Sequence, residues 1–119
     1  MISANSSALL SDLVQRDAEL GNAILKLKQL AHAEDDDVRR ARIGAQIRHL
    51  EDKRSEIEGE RLALKATLST MAPPSTEVVA DLRQATAELG AQIAKAHTAD
   101  AIVSAITTAL TAWNAKKPG

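Results

Sequence analysis

Apolar residues recur along this chain at helical spacing in three stretches, separated by two polar or proline-containing breaks. In the first, Leu10, Leu13, Leu20, Ile24, Leu27 and Ala31 follow alternating steps of three and four, with Asp17 in the remaining slot. That spacing draws one stripe along a helix of about residues 7–31. Asn5, Ser6 and Ser7 offer capping oxygens just before it. In the second stretch Ile43, Ile47, Leu50, Ile57, Leu64 and Leu68 predict a helix over about 37–69, with Arg54 and Arg61 in two slots of the stripe. Carrying the first heptad count straight through would instead seat Ala45, Asp52 and Gly59 in the seam. The phase therefore slips, which favours a turn over one continuous rod.

The turn has a natural place in the acidic segment 32–37, His32-Ala33-Glu34-Asp35-Asp36-Asp37. Acids suit the start of a following helix, where free amides and the dipole favour negative charge, and His32 suits the end of the preceding one. Folded there, the two stripes form an antiparallel hairpin. Leu20 comes near Leu50, Ile24 near Ile47, Asp17 within about a turn of Arg54, and Leu10 near Arg61.

A Pro-rich linker over 71–75, containing Pro73 and Pro74, cannot continue a helix. Ser75 or Thr76 then caps a third helix over about 76–114, with Glu77 in its first turn. Leu82, Leu89, Ala96, Val103 and Leu110 recur every seven residues, flanked by Val79, Ile93, Ile106 and Trp113. This unbroken phase favours one helix about 60 Å long. Gly90 and the His97–Thr98 step are the places for a break, with Thr98 as a new cap. The expected fold is all-α: a hairpin plus a long third helix, forming a three- or four-helix bundle or coiled-coil-like assembly. One domain spans residues 1–119, with a flexible tail over 115–119.

Composition strengthens the class. The chain of 119 residues has 23 Ala and 14 Leu, no Phe, no Tyr and one Trp, which suits helices and not a pleated face. Net charge is −1 overall, but it divides into −4 over residues 1–37 and +3 over 38–72, as suits two helices that face each other. There is no Cys, hence no disulfide, thiolate ligand or Cys nucleophile. No basic start followed by an apolar run marks a secretory signal, and no run of about 18 apolar residues spans a bilayer. A soluble cytoplasmic protein is the resulting expectation.

Candidate chemistry is thin. Glu34 to Asp37 lacks the alternating ligands, central Gly and closing Glu of a calcium loop, so an acidic helix cap explains it better. His32, His49 and His97 lie far apart. His32 has Asp35 and Asp36 three and four residues on, and His97 has Asp100, which is short of a zinc ligand set. No Glu-x-x-His motif, Gly-x-Ser-x-Gly turn or Gly-rich phosphate loop occurs. Glu56, Glu58 and Glu60 alternate and so do not share a helix face. Arg39, Arg40, Arg42 and Arg48 form a basic cluster, but neighbouring acids and the lack of stacking aromatics argue against nucleic acid. No catalytic residue, metal or cofactor is expected.

The segment 101–115 is unusual in carrying no charge. Ile102, Ile106 and Trp113, with Val103 and Leu110 beside them, make a broad apolar face that serves either as the chain's own core or as an interface. The expected function is a non-enzymatic interaction or assembly module acting through apolar helix faces, with a protein partner or further copies of itself. On the interface reading, Ile106→Ser and Trp113→Ser weaken assembly more than folding. The alternative is a helical protein that lies on a membrane surface through 101–115, although such helices usually carry a basic polar face.

Overall fold

The computed structural model describes residues 3–115; the last four residues of the expected flexible tail lie outside them. Four helices follow in order: α1 (Ala4–Ala33), α2 (Asp37–Thr67), α3 (Thr76–Lys95) and α4 (Ala99–Ala115). The 30 residues of α1 form a rod of about 45 Å, and the others pack around it in a body of 54 × 23 × 18 Å.

The expected hairpin forms, and its register is close to the expectation. Arg54 donates from Nε and Nη2 to the two carboxylate oxygens of Asp17, each at 2.9 Å. Gly21 helps the guanidinium lie against α1, since a Cβ there would stand 3.1 Å from Arg54 Nη1. Arg61 instead pairs with Glu58 on its own helix. Asp36 caps α2, its carboxylate accepting from the amides of Val38 and Arg39.

The start of α1 differs from the expectation. Ser3 is the N-cap, accepting from the amide of Ser6. Ser6 is buried, and Asn5 donates to the Pro74 carbonyl and to Thr76 Oγ1. Asn5 thus ties the start of α1 to the proline linker and the first residue of α3 instead of capping the helix.

Two overlapping stripes explain why α1 sits at the centre. The stripe legible in the sequence faces α2. A second, Leu9, Leu13, Arg16, Leu20, Ala23 and Leu27, steps by four and three along the adjacent face, and all six residues are buried. This second stripe receives α3 and α4. By contrast, α2 buries only Ile43, Leu50 and Ile57 over 31 residues, a single line of contact.

The third helix is not continuous. It breaks at Ala96-His97-Thr98, and the chain doubles back as the α3–α4 pair. Ala96 turns to extended geometry (ψ 134°), and Thr98 Oγ1 accepts from the Ala101 amide to start α4. Lys26 of α1 reaches the carbonyls of Ile93, Ala94 and Ala96, binding the exposed end of α3. The seven-residue phase crosses the break unchanged, because a short connection need not disturb a repeat. The buried face of α4 is Ile102, Ile106, Ala109 and Trp113.

Two measurements check this account. The Arg54 hydrogen bonds hold the Asp17 carboxyl below its ordinary value, against a smaller opposing effect of burial. The pair therefore stabilises fully above an unfolded pKa near 3.9, and its contribution is lost as pH falls through the lowered folded value. Both side chains are about a third exposed, so solvent screening limits Asp17→Asn to a cost of about 0.5–1 kcal/mol in urea unfolding at pH 7. The cost should shrink towards zero at pH 2. Lys26→Met should accelerate amide exchange around residues 96–102 while leaving the α1–α2 hairpin protected.

Candidate functional site

The two faces of α4 have different fates. Ile102, Ile106 and Trp113 are at most 4 % exposed and belong to the chain's own core. Val103 and Leu110 are half-buried at its edge. Replacing Ile106 or Trp113 by Ser thus falls on folding, at about 3–5 kcal/mol, and the sequence-based expectation of a selective effect on assembly moves to Val103 and Leu110.

Trp113 is the hub of a buried polar chain that joins three helices. Its indole Nε1 donates to Thr86 Oγ1 of α3 at 3.1 Å, and the Thr86 hydroxyl donates to the Leu82 carbonyl. Over the indole lies the guanidinium of Arg16 from α1, its carbon 4.8 Å from the ring centroid. Arg16 Nε donates to Asp12 Oδ2 at 2.8 Å, and both residues are more than nine-tenths buried. Opposite charges this deep are tolerated because each has its partner, and the indole face adds a cation–π attraction.

The sequence reading missed Asp12, Arg16 and Thr86. An Asp and an Arg four residues apart read as a surface pair, and Thr carries no strong burial signal. The available signal was positional: Arg16 occupies a core slot of the second α1 stripe.

Two clefts remain between α2 and α4, which flank α1 without closing on each other. The upper cleft, of about 300 Å³, is lined by Ala45, Gln46 and Leu50 of α2 and by Val103, Ile106 and Leu110 of α4. In its wall Gln46 Oε1 is buried without a hydrogen-bond donor among the described residues. The lower cleft, of about 690 Å³, is floored by Leu9, Leu13 and Arg16 and closed at one end by the linker residues Met71 to Pro74. Leu110 stands between the two.

Arg42 and His49 are exposed at the rim of the upper cleft. His32, His97, Arg39, Arg40 and Arg48 are exposed and line neither cleft. Arg40 turns back to the Glu34 carbonyl at the hairpin turn. Among the described residues no three His, Asp or Glu side chains converge as a metal site would need, and no helix is long and apolar enough to cross a membrane.

Thr86→Val keeps the shape but removes the acceptor of the buried indole N–H. It should cost about 1–3 kcal/mol in urea unfolding followed by Trp113 emission. A loss under about 0.5 kcal/mol would mean that the indole does not depend on this bond. Comparison with protein-family models, with curated protein sequences and with solved structures finds no match to this chain.

Proposed function

We propose that this chain is a non-enzymatic helical interaction module, and that its docking surface is the upper cleft between α2 and α4. The observation that carries this reading is the state of that cleft. Val103 and Leu110 keep apolar surface exposed there, beside a buried amide oxygen with no donor. A docked helix would cover the first two, and a rotation of the Gln46 side chain would bring the third to a donor on it. An apolar strip of Leu50, Val103 and Leu110 with a polar rim of Arg42, His49 and Thr107 is the pattern of a helix laid into a groove. The helix α2 invites such a neighbour, since it packs along one line on α1 and leaves its flank towards α4 uncovered.

The occupant we assign is a second copy of this chain. A net charge of −1 opposes self-association very little. The other large exposed apolar residues, Val14, Leu25, Val38 and Leu62, belong to α1 and α2 and line neither this cleft nor the lower one. The membrane-surface alternative draws less support. The apolar side of residues 101–115 is turned into the core, and its exposed side offers Ser104, Thr107, Thr108 and Thr111 in place of basic residues.

Light scattering after size exclusion, over a range of concentrations, tests the reading. The unmodified chain should show a concentration-dependent dimer. Val103→Asp, at a half-buried position, should shift it to monomer with little change in helical content. A chain that stays monomeric at every concentration, or a V103D variant that dimerises as before, would count against the upper cleft as a self-association surface.

A further inference from the structure

The lower cleft differs from the upper one in having a buried cation at one end, where the Arg42 of the upper cleft is exposed. Arg16 is more than nine-tenths buried, yet Asp12 occupies only its Nε, and the Asp12 carboxylate lies outside the cleft lining. Among the described residues the hydrogen bond of Arg16 is the one from Nε, which leaves both Nη atoms for a ligand, and Arg16 lines the cleft. A guanidinium stacked on an indole presents its remaining N–H groups edge-on, the geometry that takes a carboxylate in a two-pronged fork. Lys53 stands at the same end, tied loosely to the exposed Glu56.

From there the walls become apolar. Leu13, Leu9 and Leu64 lead to Met71 and the two linker prolines. The seven helical steps of α1 from Arg16 back to Leu9 span about 10 Å. The linker closes that far end, so a chain that enters must stop inside. This excludes a through-running helix and suits a compact ligand, and the volume of about 690 Å³ is in the usual range for small-molecule sites.

We infer that the lower cleft is a binding site for a single-chain amphiphile with a free carboxylate, its head on the Nη edge of Arg16 and its medium-length alkyl chain along Leu9, Leu13 and Leu64. Arg16 and Lys53 oppose a cationic head at that end of the cleft, and Glu60 on the α2 rim opposes a second anionic group. The site shares Leu110 with the docking surface in the upper cleft and is otherwise lined by different residues.

The sole tryptophan, Trp113, lies in the wall of the cleft and under Arg16, so its emission reports occupancy directly. The full-length chain is titrated with decanoate, decan-1-ol and decyltrimethylammonium, each below the concentration at which it forms micelles, and binding is followed by Trp113 emission and by calorimetry. Decanoate should bind saturably at one site per chain. Decan-1-ol should bind about tenfold more weakly, as expected for loss of a charge-assisted hydrogen bond, and the cation more weakly still. Arg16→Lys retains the charge that offsets Asp12 but lacks the fork, and should weaken decanoate about tenfold while leaving decan-1-ol unchanged. Equal binding of decanoate and decan-1-ol would show greasy partitioning alone and overturn the proposal, as would the absence of saturable decanoate binding. The comparison of three head groups on the unmodified chain decides the matter even if the Arg16→Lys chain does not fold.

Discussion

The Arg16 guanidinium, held between the Asp12 carboxylate and the Trp113 indole, is the interaction on which the packing of α3 and α4 against α1 depends. A cation in that position is costly to desolvate, so it stays only where both faces of the cost are met: an ion pair on one edge and a π-face beneath. Meeting it requires α4 to reach α1. That is possible only if the chain reverses after α3, and the reversal also delivers the indole N–H to Thr86. One buried charge thus couples three helices whose apolar stripes alone would allow several arrangements.

The cost of this arrangement falls on α2. With α1 fully engaged on two faces, α2 has a single line of contact and no close neighbour on its α4 flank. The two clefts follow from that geometry. A four-helix bundle that closed completely would bury Val103, Leu110 and Leu64 and satisfy Gln46. This one leaves them at a boundary, where a further chain or ligand can add to the packing without displacing anything. The closed core and the open clefts are thus two results of one distribution of contacts.

The legible part of the site was its apolar half. Val103, Ile106, Leu110 and Trp113 stood out because an uncharged run at helical spacing has few explanations. Its polar half, Asp12, Arg16, Thr86 and Gln46, was hidden, because such residues on a helix read as solvated until a neighbour is known to cover them. Burial is a property of the covering element, and that element lies up to 101 positions away along the chain, as Trp113 does from Asp12.

The sequence by itself determined the all-α class, the acidic turn within 32–37, a cap at Ser75 or Thr76 and the approach of Asp17 to within about a turn of Arg54. Each rests on local spacing, or on matching one stripe to the next across a short turn. Tertiary structure alone decided that the third helix breaks at Ala96 to Thr98. Helix propensity is nearly indifferent there, and a heptad phase survives a short connection, so local signals leave both outcomes close in energy. What separates them is non-local: Lys26 on the carbonyls that end α3, and the contact of Trp113 with Arg16 and Thr86. Neither exists until α3 and α4 lie side by side on α1.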